Sequence, residues 1–281
     1  MAISGGIKLF NNSLCLLSDG TSMTATSGSA STDFALDRNP LTLWRSVGSD
    51  DTTTETLVVT LPSSTTVITR ILLLNHNFKQ FTIKYNDSAV WTDFANVTGI
   101  DGDTATISET TFAHDTAYYE VDSVTTDSIQ ITVTKSQVVD DEKYLSQIIV
   151  TTELGTLQGF PGIKSIDHDR NERTKTMISG KKLIIKSEES FSTKLSFKNY
   201  PPSFAADLDL MITLFERDTN FLMWLCGGRY DTSVHFRYVI RGFRLRDVKT
   251  VQIEKPFKVG YSKNIYIDSI NFDVNFEEVV D

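Results

Sequence analysis

The residues that could carry acid–base chemistry are scattered along the chain. His168 stands between Asp167 and Asp169 and is the one histidine with a carboxylate on each side. A histidine general base needs a nucleophile or substrate proton within reach, and no serine motif such as GxSxG accompanies it. The HExxH, P-loop and GxGxxG patterns are also absent from the sequence. We therefore predict that the chain is not an enzyme.

Metal-binding spacing is equally sparse. Cys15 and Cys226 stand far apart, which predicts two free, buried thiols instead of a disulfide or a zinc site. Asp101-Gly-Asp103 offers two oxygen ligands but lacks the rest of a calcium-loop pattern. We expect a plain turn there, and we expect the adjacent acids elsewhere to be solvated charge.

Charge divides the chain into two halves. The net charge is −9; residues 1–152 hold 8 Lys/Arg and 18 Asp/Glu, a net of −10, so residues 153–281 hold 19 and 18, a net of +1. An acidic half repels nucleic acid and anionic membrane. The near-neutral half carries an arginine strip, which we interpret as a possible protein interface because nucleic-acid binding favours a basic domain. This strip consists of Arg237, Arg241, Arg244 and Arg246.

Compartment signals are also missing. No run of about 18 apolar residues predicts a spanning helix, so no membrane insertion is expected. The first seven residues have no basic stretch ahead of a hydrophobic one. The chain is therefore expected to stay where it is made.

Hydrophobic periodicity predicts a mostly β protein with two domains. Residues 1–152 contain short alternating or wholly apolar runs typical of a β-sandwich. Gly and Pro between 154 and 162 predict a linker. Residues 153–281 read as strands in a β-barrel or sandwich, with one helix over 203–219 that Ser203 caps. The runs predicted as strands are 56–61, 67–74, 81–85, 129–134, 144–150, 191–198, 221–225, 234–241, 243–246 and 270–277, with a hairpin over 176–186.

A distinctive stretch follows the first turns: Phe34-Ala-Leu-Asp-Arg-Asn-Pro-Leu-Thr-Leu-Trp-Arg-Ser46. It resembles the early signature of discoidin-type, galactose-binding-like jelly rolls, and residues 71–85 and 144–150 resemble later strands of that fold. The resemblance implies a structural calcium held by Asp37 and by a backbone carbonyl near Thr42. It also implies that Trp44 lies in the core. Carbohydrate binding in the family comes from variable loops, so no residue is assigned to it.

The second half resembles the tube-type β-barrel of phage tails. This resemblance rests on the helix at 203–219, Leu225-Cys-Gly-Gly228, Arg241-Gly-Phe243 and the strand pair at 265–277. The resemblance implies a virion protein of the tail, made in the host cytoplasm and placed in the baseplate or tail tip. It also implies ring-like self-assembly and other tail or baseplate proteins as partners.

Two alternatives stay open. The chain could be an adhesin that binds host-surface carbohydrate, which predicts exposed aromatic residues such as Trp91 in the loops of the first half. It could also be a glycan-active enzyme with an accessory binding domain, although the chain leaves little room for a catalytic domain.

Overall fold

The computed structural model describes most of the chain. The described residues are 7–11, 14–39, 41–48, 51–63, 66–99, 102–157, 162–176, 182–200, 205–217, 221–224, 249–253, 258–263 and 268–278. The protein is mostly β, as the sequence predicts, with three sheets among these residues.

Among the described residues, the first compact unit comprises Phe10–Leu154 and Trp224. Its strands are β1 (Ile7–Phe10, shared with the second unit), β2 (Ser22–Ala25), β3 (Trp44–Arg45), β4 (Glu55–Thr60), β5 (Thr66–His76), β6 (Phe78–Asp87), β7 (Val90–Asp93), β8 (Val97–Gly99), β9 (Gly102–Thr104), β10 (Ser108–Glu109), β11 (Thr116–Thr126), β12 (Ser128–Ser136) and β13 (Tyr144–Thr151). Two short 3-10 helices, Leu17–Asp19 and Ser29–Ala35, lie in the connections.

Two sheets form a β-sandwich in this unit. We call them the β12 sheet, in the order β10-β6-β12-β4-β2 with β7 beside β6, and the β5 sheet, in the order β3-β13-β5-β11-β8-β9. The pairings within both sheets are antiparallel. Their inward-facing residues form one hydrophobic core, as expected for sheets that pack face to face. All five strands predicted between residues 56 and 150 are present.

Trp44 lies fully buried in this core. It pairs with Leu145 across β3 and β13, and Leu145 is buried too. The prediction that Trp44 is a core residue is confirmed.

The β5 sheet is covered on both faces. Ile71 and Leu73 belong to the core between the sheets, and Leu72, between them on β5, is also fully buried. Successive strand residues point to opposite faces, so Leu72 faces away from that core. Tyr118 on β11 is buried on this outer face and its ring lies 5.0 Å from Trp224 and 6.3 Å from Phe10, centroid to centroid.

The second unit comprises Gly155–Met223, Lys249–Asp281 and the start of β1. Its elements are β14 (Glu153–Leu157), β15 (Gly162–Thr176), β16 (Lys182–Tyr200), α1 (Ala205–Arg217), β17 (Phe221–Trp224), β18 (Lys249–Ile253), β19 (Lys258–Lys263) and β20 (Asp268–Glu278). We call their sheet the β16 sheet; its order is β14-β1-β17-β18-β20-β16-β15, with β19 beside β20.

The helix α1 lies inside the predicted span of 203–219, and its Met211 and Leu214 are buried. Ser203, its predicted cap, lies outside the described residues. The predicted final strand is present as β20. The tail-tube resemblance of this unit stays a prediction.

The predicted linker over 154–162 is wrong for its first four residues, which belong to β14. The sequence predicts that Gly155 breaks the strand, but Gly155 lies within β14. It allows α1 to pack closely, because a Cβ there would lie 2.7 Å from Leu210 Cδ2. A strand accepts glycine where another group approaches closely.

Among the described residues, no helix combines the length and apolar character needed to span a bilayer.

Candidate functional site

The Asp37 loop lies just before Trp44 and is closed by its own hydrogen bonds. Thr42 Oγ1 lies 3.0 and 2.8 Å from the two carboxylate oxygens of Asp37 and 2.8 Å from the carbonyl oxygen of Asn39. The Asn39 amide donates to Asp37 Oδ1 at 2.8 Å. The hydroxyl of Thr42, and not only its backbone, therefore belongs to the Asp37 loop.

This loop offers calcium the oxygen ligands that it prefers, but with a single carboxylate. Within the described residues, no group of three or more His, Cys, Asp and Glu side chains could hold a metal ion. Calcium usually takes six to eight oxygens, so backbone carbonyls and water would have to supply most of the shell. Calcium binding at Asp37 and Thr42 stays a prediction.

A second cluster lies where β3 meets β13; we call Arg45, Glu142 and Tyr144 the Tyr144 surface. The Arg45 guanidinium carbon lies 5.5 Å from the centroid of the Tyr144 ring, within cation–π distance. Arg45 Nη1 lies 3.6 Å from Glu142 Oε2, and both side chains are about half exposed. Tyr144 itself is half-buried. An aromatic ring, a guanidinium and a carboxylate thus meet at the solvent.

Strand pairing and hydrogen bonds within the sandwich hold these three side chains in place. Arg45 and Tyr144 are direct cross-strand partners, next to the buried pair Trp44 and Leu145. Asn77 fixes the approach to β13: its Oδ1 accepts from the Tyr144 amide at 2.9 Å, and its Nδ2 donates to the Glu142 carbonyl at 2.6 Å. Asn77 is buried, so a buried protein group holds the start of β13, which carries Tyr144.

The loops that leave this surface carry apolar side chains into solvent. Val47 and Val139 are each 75% exposed. Their loops start side by side, because the Ser46 amide donates to the Lys143 carbonyl at 2.9 Å.

Glu55 lies buried behind the same loops. Ser27 Oγ donates to Glu55 Oε1 at 2.7 Å and accepts from the Val47 amide at 3.0 Å. Gly28 follows, with φ of 65°, and a Cβ there would lie 1.8 Å from the Arg45 carbonyl oxygen. Glycine is therefore required where this loop crosses β3.

His76 belongs to an aromatic cluster at the end of β5. Its ring stacks on Phe112 at 5.5 Å and lies 5.0 Å from Phe78. Its Nδ1 accepts from the Phe78 amide at 3.0 Å, while Nε2 is buried without a partner. Burial, with His114 nearby, lowers the pKa of His76 to about 3. This histidine is neutral near pH 7 and packs as an aromatic ring.

Other predicted residues are placed as follows. Cys15 is buried, as predicted, and burial raises the pKa of its thiol. Trp91 is half-buried on β7 and does not lie in a loop, which corrects the expectation attached to the adhesin. Cys226 and the arginine strip (Arg237, Arg241, Arg244 and Arg246) lie outside the described residues, so the strip stays a prediction.

The sequence did not single out Arg45, and it predicted Glu142 only as solvated charge among adjacent acids. The nearest signal was Arg45 itself, which directly follows the Trp of the discoidin-like stretch. Its pairing with Tyr144 joins residues about a hundred positions apart, and local patterns carry no information on such contacts.

No family model matches the chain, and no curated protein matches its sequence. Solved structures that resemble it include carbohydrate-binding modules at low identity. Chitosan-binding module 1 of a chitosanase/glucanase from Paenibacillus sp. IK-5 has a TM-score of 0.39 and 19% identity, over 50% of this chain and 98% of that one. Module 2 of the same enzyme, in complex with chitotriose, has a TM-score of 0.38 and 19% identity, over 49% and 98%.

A third similar structure is CpGH89CBM32-6 produced by Clostridium perfringens. It has a TM-score of 0.36 and 14% identity, and the match covers 47% of this chain and 93% of that one. At these TM-scores, the three similarities carry no argument about function.

Proposed function

We propose that the chain is a non-catalytic binding protein whose sandwich binds carbohydrate at the Tyr144 surface. The observation that carries the proposal is the solvent-facing contact between Arg45 and Tyr144, with Glu142 at 3.6 Å from the guanidinium. A sugar ring has an apolar C–H face and a rim of hydroxyl groups. An aromatic ring can pack on the face while a guanidinium donates to, and a carboxylate accepts from, the hydroxyls.

Rigidity of the platform supports this proposal. Arg45 and Tyr144 stand on paired strands whose next residues are buried in the core. A site built on strands loses less conformational freedom on binding than one built on loops, and the cost of ordering side chains limits affinity. The exposed Val47 and Val139 would extend the apolar part of the contact.

The test is binding of the full chain to an array of oligosaccharides that includes chitotriose. We expect at least one bound glycan, with affinity lowered at least about tenfold by Tyr144→Ala, the scale of one lost aromatic contact. Trp91→Ala, another half-buried aromatic of the same unit, is the matched control and should bind as the wild type does. Absence of binding to every glycan, or equal binding by Tyr144→Ala, would contradict the proposal.

A second candidate is the structural role in a phage tail, at the baseplate or tip, with the virion as its location. Its support is the β16 sheet, where β15 and β16 form an antiparallel hairpin with strands of 15 and 19 residues. Strands in globular proteins usually have 3–10 residues. Long strands with an open edge suit assembly with further tail proteins or with copies of the chain. Electron microscopy of the concentrated protein should then reveal rings, and only isolated particles would count against this role.

Calcium binding at the Asp37 loop is a third proposal, independent of the other two. If the ion is structural, chelator lowers the melting temperature of the full chain, because a ligand of the folded state stabilises it. Asp37→Ala should remove the difference between chelator and excess calcium. Equal melting of the wild type under both conditions would contradict calcium binding.

A further inference from the structure

The strand β15 ends the β16 sheet in the part of the chain that the structure describes. Its pairing there is with β16 alone, from Gly162↔Ser196 to Thr176↔Lys182. An edge strand presents a row of backbone N–H and C=O groups to its open side, which is a template for another strand.

Much of this hairpin extends beyond the rest of its sheet. The strand β20 pairs with β16 only from Ser192 onward, so β16 residues 182–191 have only β15 beside them among the described strands. A two-stranded ribbon is marginally stable in water, whereas three or more strands hold together. Binding a further strand would therefore stabilise this two-stranded part of the hairpin.

Charged residues on an edge usually serve to prevent such pairing, but those of β15 have an unusual order. Between 167 and 175 the sequence reads Asp-His-Asp-Arg-Asn-Glu-Arg-Thr-Lys. For each charged residue in this stretch, the residue at the same distance from Asn171 on the other side carries the opposite charge. The pairs are Arg170 with Glu172, Asp169 with Arg173, and Asp167 with Lys175.

We propose that two copies of this chain dimerise by antiparallel pairing of β15 with β15 about a two-fold axis at Asn171. In that register residue i of one copy lies opposite residue 342 − i of the other, so each of the three pairs occurs twice. Opposite charges directly across an antiparallel pair are favourable and like charges are unfavourable. The same surface on both copies is what a two-fold interface requires.

Neighbouring registers do not have this property. An axis at Arg170 sets that arginine opposite its own copy, and an axis at Glu172 does the same for the glutamate. An axis at Asp169 or at Arg173 likewise sets that charged residue opposite its own copy, and an axis halfway between two residues would pair side chains from opposite faces of the strand. The charge order thus selects the Asn171 register.

The backbone of β15 can accept this pairing. The pairing with β16 shifts twice: near Lys164 the extra residue is on β15, and near Asn171 it is on β16, between Lys186 and Glu189. The alternation of β15 therefore continues without interruption from Ser165 to Thr176. Nine residues of strand give a contact about 30 Å long, and two ribbons would form one four-stranded sheet.

The test is a charge exchange in the full chain. Wild type should form dimers in sedimentation at tens of micromolar. Asp169→Arg alone and Arg173→Asp alone each set like charges opposite twice, so each should dimerise at least about tenfold more weakly. An equimolar mixture of the two variants should restore dimers, because both altered positions then meet opposite charges. Asp209→Arg, on exposed α1 surface, is the control and should dimerise as the wild type does.

A cross-link gives a second readout that does not depend on these charges. Residues opposite each other in an antiparallel pair have Cα atoms about 4.5–5.5 Å apart, a distance that a disulfide spans. Asn171→Cys should therefore form a covalent dimer under mild oxidation, whereas Lys175→Cys, about 27 Å from its own copy, should not. A monomeric wild type at about 100 μM, variants that associate like the wild type, or equal cross-linking at both positions would each overturn the proposal.

Discussion

The two sheets of the sandwich share one core but differ on their outer faces. In the β12 sheet, strand β4 alternates between buried and half-buried residues, so only its inner face is covered. In the β5 sheet, Leu72, Tyr118 and Ile149 are buried although they face away from the shared core. One sheet is covered on one side, the other on both.

The sequence of each sheet reflects this difference. The alternating pattern of β4 is typical of a sheet with one solvated face. The continuous Ile71-Leu-Leu-Leu74 run is typical of a strand that is buried on both faces. Polar groups on the outer face of the β5 sheet must then find partners. Arg70 does so by contacting Glu153 and Glu120, the latter at 3.8 Å.

The largest effect is expected in the core that both sheets share. Trp44→Ala should lower the free energy of unfolding by about 3–5 kcal/mol, because it leaves a cavity where a large buried side chain was. Trp91→Ala removes the same side chain from a half-buried site and should cost about 1 kcal/mol. Urea unfolding of both variants measures the difference. Similar losses would mean that Trp44 is not a core residue in solution.

The difference between the outer faces is tested next. Leu72→Ala on the β5 sheet should cost about 2–4 kcal/mol, whereas Val58→Ala, half-buried on the outer face of the β12 sheet, should cost under about 1 kcal/mol. Urea denaturation again gives both values. If Leu72→Ala were as mild as Val58→Ala, the β5 sheet would have a solvated face and the comparison would fail.

Acid should destabilise the β5 sheet through His76. Its pKa is about 3 in the folded chain and about 6.5 when solvated. The unfolded chain therefore binds more protons between these values, so stability is complete above pH 6.5 and falls toward pH 3, by up to about 1.4 kcal/mol per pH unit. His76→Phe should reduce this slope relative to wild type, while His114→Gln, which removes only the smaller of the two causes of the shift, should reduce it less. An unchanged slope in His76→Phe would contradict the burial of a neutral histidine.

The smallest effect is expected at an edge of the β12 sheet. Ser88 and Ala89 join β6 to β7 with φ of 53° and 69°, a region that glycine adopts at lower cost than other residues. Ala89→Gly should therefore raise the melting midpoint, by the equivalent of about 1 kcal/mol. Ala113→Gly, at an exposed residue without positive φ, should not raise the melting midpoint. A loss of stability in Ala89→Gly would show that the turn differs in solution.

Local patterns predicted β4, β5, β6, β12 and β13 because alternation and apolar runs reflect burial residue by residue, but they did not predict the 11-residue strand β11. They missed β15, whose charged residues show no apolar period. They also misread Gly155, since the side chain that requires its glycine, Leu210, belongs to a helix 55 residues later.

The candidate site shows the same limit. Asp37 and Thr42 lie five residues apart, so the sequence alone places them in one loop, and their side chains form a hydrogen bond there. The Arg45–Tyr144 contact depends on strand order and register, which are set by the whole fold. Proximity within one loop was predictable, while proximity across strands was not.

The placement of β1 bears on how the gene could be divided. In the sheet, β1 lies next to β14, although the whole sandwich separates them along the chain. The sandwich also begins and ends at one point: the Asn11 amide donates to the Thr152 carbonyl at 2.9 Å, and Thr151 Oγ1 donates to the Asn11 carbonyl at 2.7 Å. Topologically, the sandwich is an insertion that replaces a short connection between two neighbouring strands, and close termini make such insertions tolerable. An excised sandwich should therefore start near residue 11, because a fragment of residues 1–152 would carry β1 away from its neighbours with Ile7 and Leu9 uncovered.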